Sequence, residues 1–380
     1  MGWLAFLFWV LLAGVFFAYA GYGLLLLALR PLWRRAAAAG PEEPVTVVIA
    51  AYNEAAILPA KIRNTLALDY PPGLLQVLVV ADGSTDETAA ALAPYPSVRL
   101  LHDGPRGGKT AALNRAMREV QTPFVVFSDA NTELNPEALR LLVRHFGDPR
   151  TGAVAGEKRV RHSSGMGFAE GWYWHYESSM KALDAGFWSA VGAAGELFAL
   201  RSALYRSQPP DTLLDDLALS LEVGVQGYRV AYEPGAYALE APSDSLAAER
   251  TRKVRIAAGA YQLLARLHWR RLLRQPALAF QFIVRRWMRW VFCPLALLLL
   301  LPLGAALAAF TDAFLYDLLW AAQAAIYLLA LAGALLLRRN RAFFLTTLPF
   351  YFLFMNACML AGWNRWRKGQ QSVLWEKARK

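Results

Sequence analysis

Hydrophobic positions fall into three kinds of segment along the chain. Residues 3–29 form a run without a single charge, and a run of that length can cross a bilayer. Short β-branched runs then alternate with amphipathic patterns in the middle of the chain, which is typical of strands followed by helices. Three longer apolar stretches come last, near residues 291–310, 315–337 and 342–363. The pattern predicts an α/β domain flanked by membrane helices.

Four strand–helix cycles follow one another in the middle of the chain. The predicted strands cover residues 45–51, 74–80, 98–101 and 125–128, and the predicted helices cover residues 57–68, 87–92 and 110–120, with a fourth starting near Asn135. Ser84, Thr85 or Asp86 can cap the second helix. This alternation predicts a mostly parallel, Rossmann-like sheet with flanking helices and a ligand crevice at the carboxyl ends of the strands.

Polar side chains follow the predicted strands. Asp129 and Asn131 stand on alternate positions, so the alternation of strand side chains predicts that both point to the same side. A carboxylate and an amide oxygen suit a hard cation that shares its other ligands with phosphates and water. The alternative is an ordinary Asp/Asn turn after a strand. We expect the same crevice to contain Tyr52, Glu54, Asp82 and Lys109.

Two common nucleotide motifs do not fit. The first strand ends in Ala51-Tyr52-Asn53-Glu54 instead of a glycine-rich dinucleotide turn. Gly107-Gly108-Lys109-Thr110 has the ending of a phosphate-binding loop, but it lacks the earlier glycine and does not follow the first strand. An NTPase is therefore disfavoured.

Composition supports a membrane protein. The chain of 380 residues has a hydrophobic fraction of 56% and a formal net charge of +11. Many basic residues flank apolar spans, so anionic head groups explain the charge better than nucleic acid does, and no nucleic-acid-binding module is recognisable. Cys293 and Cys358 lie in apolar segments as packing residues, and the histidines show no zinc-ligand spacing.

Charge also predicts topology. The first apolar run lacks a basic segment before it and is followed by Arg30, Arg34 and Arg35, so it reads as a retained anchor with the next segment in the cytoplasm. Asp312 and Asp317 place the connection between the stretches at 291–310 and 315–337 outside. The cluster from Arg338 to Arg341 places the connection between the stretches at 315–337 and 342–363 inside. The basic tail conflicts with four full crossings, unless the stretch at 342–363 is re-entrant or broken at Pro349 or the positive-inside rule fails here.

Four strings in order resemble the membrane-integrated branch of the family 2 glycosyltransferases, which includes hyaluronan, cellulose and poly-N-acetylglucosamine synthases and ceramide glucosyltransferase. The strings are residues 50–54 (AAYNE), 80–86 (VADGSTD), 108–114 (GKTAALN) and 128–131 (SDAN). The resemblance covers residues 45–262 and implies a GT-A fold. It also implies transfer of a sugar from a nucleotide diphosphate sugar, with UDP as the expected nucleotide, and inversion at the anomeric carbon.

The resemblance assigns roles to residues of this chain. Asp216 matches the catalytic base, and Gly195, Glu196 and Asp215 match the acceptor site. Asp129 and Asn131 would hold Mg²⁺ or Mn²⁺. Residues expected at the nucleotide are Ala50, Tyr52, Glu54, Asp82, Lys109, Asp129, Arg252 and Arg255. Ile256 replaces the tryptophan that lines the acceptor site in the polymerases, which weakens the case for processive synthesis.

The expected organisation has five parts: an anchor with a basic flank at 1–35, the catalytic domain at 45–240, interfacial helices at 241–290, membrane helices at 291–363 and a basic tail at 364–380. The expected enzyme is multi-pass in the cell membrane, with its catalytic domain in the cytoplasm. Its partners would be a nucleotide sugar, the membrane, and either a lipid or a growing polysaccharide as acceptor, with no nucleic acid. The alternative is an inactive relative that serves as a membrane scaffold or export subunit.

Overall fold

The structure is a computed structural model that describes residues 2–33, 40, 42–102, 104–160, 166–241, 245–339 and 341–374. Arg34, Arg35 and the tail beyond residue 374, which belong to the predicted basic flank and basic tail, lie outside the described residues. The strands are β1 (Val45–Ala51), β2 (Leu75–Ala81), β3 (Val98–Leu101), β4 (Phe124–Asp129), β5 (Glu133–Leu134), β6 (Thr151–Val160), β7 (Leu197–Arg201) and β8 (Arg229–Glu240).

The described strands form one sheet in the order β3-β2-β1-β4-β7-β6-β8-β5. Strands β3, β2, β1 and β4 are parallel, as predicted from the strand–helix cycles. Beyond β4 the sheet is mixed, because β7 is antiparallel to both β4 and β6 while β6 is parallel to β8. The carboxyl ends of β1 and β4 therefore lie side by side, with Ala50 paired to Asp129.

The sheet is buried on both faces. Val47 and Ile49 of β1 belong to one apolar cluster, and Val48 and Ala50 belong to the cluster on the opposite face. A strand covered on both sides has to be apolar at every position, which explains the continuous β-branched run in this part of the sequence.

Helices cover the sheet and form the apolar region. The α-helices are α1 (Gly2–Phe16), α2 (Tyr22–Leu29), α3 (Leu58–Leu66), α4 (Lys109–Ala116), α5 (Ala138–Val143), α6 (Met166–Phe187), α7 (Asp215–Val225), α8 (Leu246–Arg266), α9 (Trp269–Leu273), α10 (Pro276–Phe282), α11 (Cys293–Phe310), α12 (Phe314–Arg338) and α13 (Phe344–Arg367). A π-helical segment, Phe17–Gly21, joins α1 to α2, and another, Ile283–Phe292, joins α10 to α11.

The helix predicted over residues 87–92 is wrong. The structure has turns there and a short 3-10 helix, Ala90–Leu92. Asp86 explains the difference, because its Oδ1 accepts the backbone N–H of Thr88 at 3.0 Å and its Oδ2 accepts that of Ala55 at 3.2 Å. Such side-chain bonds to nearby backbone favour turns over a continuous helix.

Among the described residues, four helical segments are long and apolar enough to cross a membrane: Gly2–Leu29, Pro276–Phe310, Phe314–Arg338 and Phe344–Arg367. The second begins at Pro276, before the apolar stretch predicted from residue 291, so this helical segment includes the last part of the predicted interfacial region. The last segment runs through Pro349 without interruption, which excludes a break at that residue.

Helix α13 packs along α8 of the catalytic region. Tyr351 Oη donates a hydrogen bond to Glu249 Oε1 at 2.9 Å, and a Cβ built on Gly362 would lie 2.3 Å from Ala257 Cβ. The rings of Tyr261 in α8 and Trp366 in α13 stack near the ends of the two helices, with their centroids 6.3 Å apart. The last apolar helix therefore lies against the α/β domain over most of its length.

Candidate active site

A cavity of about 490 Å³ lies at the carboxyl ends of β1 and β4, between the sheet and helices α6, α7, α8 and α13. The structure brings nearly all predicted site residues to it: Ala50, Tyr52, Glu54, Lys109, Asp129, Asn131, Gly195, Glu196, Asp215, Asp216, Arg252 and Arg255 all line the cavity. Residues far apart in sequence meet here because the carboxyl ends of parallel strands share one edge.

Asp82 is the predicted residue that does not line this cavity. It is buried, with 1% of its surface exposed, and its two carboxylate oxygens accept the backbone N–H groups of Gly107 and Gly108 at 2.8 Å each. Gly108 has a φ of +89°, a conformation that glycine adopts without strain. In the described structure Asp82 therefore fixes the loop that leads into Lys109.

Lys109 begins α4 and points at the end of β4. Its Nζ donates to Asp129 Oδ1 at 2.7 Å and lies 3.8 Å from Asp215 Oδ2. Burial alone would lower the pKa of Lys109, but the Asp129 and Asp215 carboxylates outweigh it and raise the pKa above its ordinary value. The ammonium is therefore charged at neutral pH and holds two of the acids in the cavity together.

Asp129 is the last residue of β4, and Asn131 follows in a turn. Strand alternation therefore does not extend to Asn131, although both residues line the cavity. Asn131 Nδ2 donates to Glu240 Oε1 at 3.1 Å. The described residues contain no group of three or more His, Cys, Asp or Glu side chains arranged around a metal position. One carboxylate and one amide fit a cation that takes its remaining ligands from phosphate oxygens and water.

Asp215 and Asp216 open α7, where the backbone N–H groups of the first turn favour negative charge. Asp216 Oδ1 accepts the N–H of Leu217 at 2.8 Å. Burial, together with the neighbouring Asp215 charge, raises the pKa of Asp216 to about 7, against the opposing effect of Lys109. A carboxylate with this pKa takes up a proton readily at neutral pH, as a general base must.

Gly195 lies beside both Asp216 and Lys109. A Cβ built on it would lie 3.3 Å from Lys109 Nζ and 3.4 Å from Asp216 Oδ2. A Cβ here would press on the end of Lys109 and would lie in ordinary van der Waals contact with Asp216, so the backbone of this glycine-rich segment approaches both side chains closely. The next residue, Glu196, forms a salt bridge with the buried Lys158, which also pairs with Glu240.

Arg252 and Arg255 reach the cavity from α8. Arg252 Nε donates to Glu249 Oε2 at 3.0 Å, which fixes its stem against the helix. Burial lowers the pKa of Arg255, and the charges of Asp215 and Asp129 act in the opposite direction. Ile256, which stands where the resemblance expects tryptophan, also lines the cavity.

The sequence interpretation missed Lys61. This lysine of α3 is 3% exposed, and its Nζ donates to Ser128 Oγ at 2.7 Å and to the Thr132 carbonyl at 3.0 Å. Burial lowers its pKa to about 7, although Asp129 and Glu133 oppose this. Lys61 thus ties together the segment that carries Asp129 and Asn131. The sequence does contain a signal for this role, because Lys61 falls on the apolar face of the helix predicted over residues 57–68.

Helix α6 and the end of the described chain also contribute unexpected residues. Trp174 and Lys181 of α6 line the cavity, as does Val373, which follows α13. A Cβ built on Gly108 would lie 2.9 Å from the Val373 carbonyl oxygen. The segment after α13 therefore lies over the loop that presents Lys109.

Residues 46–206 match the family model described as glycosyl transferase family 2. These residues form a family 2 glycosyltransferase domain. This domain holds the strands β1 to β7 together with Lys109, Asp129, Asn131, Gly195 and Glu196. Asp216, Arg252 and Arg255 lie beyond the matched residues but line the same cavity.

Two curated relatives resemble the chain around this domain. The beta-monoglucosyldiacylglycerol synthase of Synechocystis sp. is 29% identical over 262 residues, covering 65% of this chain and 53% of the relative. The poly-beta-1,6-N-acetyl-D-glucosamine synthase of Staphylococcus aureus is 27% identical over 235 residues, covering 59% of this chain and 56% of the relative. The chain thus spans about half the length of the curated relatives it matches.

A solved structure resembles the family 2 domain together with the apolar helices. The mannosyltransferase PcManGT from Pyrobaculum calidifontis, solved in complex with GDP-Man and Mn²⁺, has a TM-score of 0.73 and 24% sequence identity. The match covers 97% of this chain and 100% of that chain. The similarity establishes the fold, a GT-A sheet with attached apolar helices.

Proposed function

We propose that the protein is an inverting glycosyltransferase that moves a sugar from a nucleotide diphosphate sugar to an acceptor hydroxyl at the membrane surface. One observation carries the proposal: Lys109, which is bonded to Asp129, and Asp216, a carboxylate with a raised pKa, lie 3.3 and 3.4 Å from the same point, the position of a Cβ built on Gly195. A group for the departing diphosphate and a base for the attacking hydroxyl thus lie side by side.

The donor would lie along the edge formed by β1 and β4. Tyr52 and Ala50 would contact the base and ribose of the nucleotide. Asp82 would contribute indirectly, because it fixes the loop at Gly107 that leads into Lys109. Glu54 lies at the same end of the cavity. Lys109, Arg252 and Arg255 would donate to the diphosphate, where charge-assisted hydrogen bonds are strongest. We propose that the donor contains uridine. Because PcManGT was solved with GDP-Man, a guanosine donor is the alternative to be tested beside it.

Transfer requires one displacement. The acceptor oxygen forms a bond to the anomeric carbon, the bond from that carbon to the diphosphate oxygen breaks, and the acceptor proton moves to an Asp216 carboxylate oxygen. The attack from the opposite face inverts the anomeric configuration. Asp129 and Asn131 would hold Mg²⁺ or Mn²⁺, which supplies Lewis-acid stabilisation of charge on the departing diphosphate. Gly195, Glu196 and Asp215 would border the acceptor, which is a lipid or a growing polysaccharide.

The proposed location is a membrane, with the catalytic domain in the cytoplasm, where nucleotide sugars are available. The structure suggests how the basic tail can share that side. Val373 lies at the active-site cavity, and α13 packs along α8 of the catalytic region. We therefore propose that α13 lies in the interface on the catalytic side, while the other three apolar helical segments cross.

The experiment is a donor and acceptor screen. The full chain, purified into lipid nanodiscs, is incubated with labelled UDP- and GDP-sugars and Mn²⁺, and label is followed into the organic-soluble and polymer fractions. Transfer that depends on one nucleotide sugar and is lost in Asp216→Asn supports the enzyme. Intact folding and donor binding with no turnover of any donor would instead support an inactive scaffold or export subunit.

A further inference from the structure

A second cavity, of about 230 Å³, lies beside the active-site cavity on the side of the apolar helices. Its walls are mostly apolar and include Phe344, Leu348 and Phe352 of α13 and Tyr19 of the first apolar helical segment. Polar side chains also line it, namely Glu177, Arg285, Arg286, Arg289, Thr347 and Asn356. The apolar part of the wall fits hydrocarbon, and we call this space the apolar cavity.

The apolar cavity and the active-site cavity are adjacent. Six residues line both: Tyr173, Glu177, Arg286, Trp290, Met355 and Met359. A ligand with a polar end and an apolar end that passes between these side chains would occupy both spaces at once. Its polar end would point toward the cavity that contains Asp216.

Lys181 supplies a cation on the active-site side of this junction. It is 4% exposed and lines the active-site cavity, and within the described chain no acceptor forms a hydrogen bond with its Nζ. The rings of Trp174 and Tyr232 lie 5.6 and 5.8 Å from the ammonium. Aromatic rings stabilise a cation but leave its three N–H donors without acceptors. A buried ammonium of this kind favours an anionic ligand.

Arg286 supplies the second cation, and it lines both cavities. Its guanidinium donates only to the Val191 carbonyl oxygen among the described residues, from Nε at 3.1 Å and from Nη2. The Glu177 carboxylate pairs with other arginines, Arg289 at 2.7 Å and Arg285 at 3.1 Å. Glu157 and Glu196 also face Lys181, but Glu157 accepts from Ser178 and Tyr232, and Glu196 pairs with Lys158. Among the described residues, no carboxylate therefore forms a hydrogen bond with Lys181 or Arg286.

We propose that the acceptor is a lipid with a phosphate in its head group: the phosphate binds between Lys181 and Arg286, and part of the hydrocarbon lies in the apolar cavity. The proposal rests on the proposed transferase function and selects the lipid from the two acceptor classes. In this position a hydroxyl of the head group can reach Asp216, attack the anomeric carbon and give its proton to the carboxylate, while the nucleotide diphosphate departs. The absence of tryptophan at position 256 agrees with single addition to a lipid.

The first test compares matched acceptors with the unmodified protein. The full chain in nanodiscs of phosphatidylcholine, which has no acceptor hydroxyl, receives phosphatidylglycerol or diacylglycerol with the same acyl chains. We expect a kcat/KM for phosphatidylglycerol about tenfold or more above that for diacylglycerol, the size of one charge-assisted hydrogen bond. Equal or faster transfer to diacylglycerol, or to a growing sugar polymer, would overturn the proposal.

The second test uses Lys181→Met and Arg286→Met, which remove each charge but keep most of the side-chain volume. Each variant should raise the KM for the phosphate-bearing lipid about tenfold, with little change for the nucleotide sugar. Arg274→Met is the matched control, because Arg274 is exposed and lines neither cavity. If both variants alter only the KM of the nucleotide sugar, the cations act on the donor and the proposal is wrong.

Release of nucleotide diphosphate, measured together with lipid labelling, distinguishes a failure of the proposed transferase function from a failure of the proposed acceptor. No release with any donor and acceptor means that the proposed transferase function fails. Release coupled to labelling of neutral lipid alone leaves the transferase function standing and removes the phosphate-lipid acceptor.

Discussion

Lys109 Nζ lies 2.7 Å from Asp129 Oδ1, so the residue proposed to bind the donor diphosphate is paired with the residue proposed to bind the cation. This salt bridge keeps a partly buried carboxylate compensated when no donor is present. A donor that arrives with its cation would give each partner a new counter-charge, a phosphate for Lys109 and the cation for Asp129. The pairing therefore predicts that donor and cation bind cooperatively.

The cation site can be tested by changing its charge. Asp129→Asn should raise the Mn²⁺ concentration for half-maximal activity about tenfold or more, because it removes the only carboxylate of the proposed pair. Asn131→Asp should lower that concentration, since it adds a second carboxylate. Titration of Mn²⁺ at saturating nucleotide sugar measures both. Glu87→Gln, an equal charge change at an exposed residue outside the cavity, is the control. Unchanged Mn²⁺ dependence in Asp129→Asn would contradict the assignment.

The raised pKa of Asp216 predicts the pH profile. A base with a pKa of about 7 is protonated and inactive below that pH, so kcat/KM should fall about tenfold per pH unit below pH 7 and level off above it. Asp215→Asn removes a neighbouring charge that raises the pKa of Asp216, so it should move the midpoint of the profile toward acid pH. A profile that stays in place in this variant would show that another group controls the rate.

Lys61 should position the cation-binding segment without touching substrate. Lys61→Met leaves the hydroxyls of Ser128 and Thr132 without the ammonium donor and should cost about 2 kcal/mol of folding stability. It should also raise the Mn²⁺ requirement, with a smaller effect on kcat at saturating Mn²⁺. Thermal unfolding and Mn²⁺ titration measure the two effects. Arg63→Met, an exposed position on the same helix, should change neither.

The sequence pattern predicted the strands of the parallel half of the sheet and their order along the chain. The strand over residues 45–51 has its predicted bounds, because a strand buried on both faces is apolar throughout and ends at the polar residues of the site. Convergence of Lys109 with Asp129 followed from parallel strand order alone. Their direct pairing did not, since a contact between side chains depends on how α4 is rotated against the sheet.

Contacts made by distant helices were beyond the sequence pattern. The apolar stretch that forms α13 looks like any membrane helix, and only its packing against Glu249 and Ala257 of α8 distinguishes it. Trp174 and Lys181 belong to a helix that none of the matched strings includes, so nothing in the pattern placed them at the cavity. For Asp82 the sequence pattern predicted a place in the cavity that the structure does not show. This polar residue follows a strand, but its carboxylate oxygens accept the backbone N–H groups of Gly107 and Gly108.

The position of α13 predicts which loops share a side of the membrane. With Cys293 and Cys358 replaced, single cysteines are introduced as Ser372→Cys, Arg206→Cys and Asp312→Cys. An impermeant thiol reagent should label the first two from the same side and the third from the other side. Labelling of Ser372→Cys together with Asp312→Cys would show that α13 crosses the membrane and that the tail lies opposite the catalytic domain.

The most direct test of the account is the transfer rate of Asp216→Asn beside that of the unmodified protein, with donor binding measured in parallel. Asparagine keeps the size of the side chain and cannot accept the proton, so transfer should fall about a thousandfold, within the range of general-base contributions. The dissociation constant of the nucleotide sugar should change little. Transfer by Asp216→Asn at the rate of the unmodified protein would contradict the central claim that this carboxylate activates the acceptor.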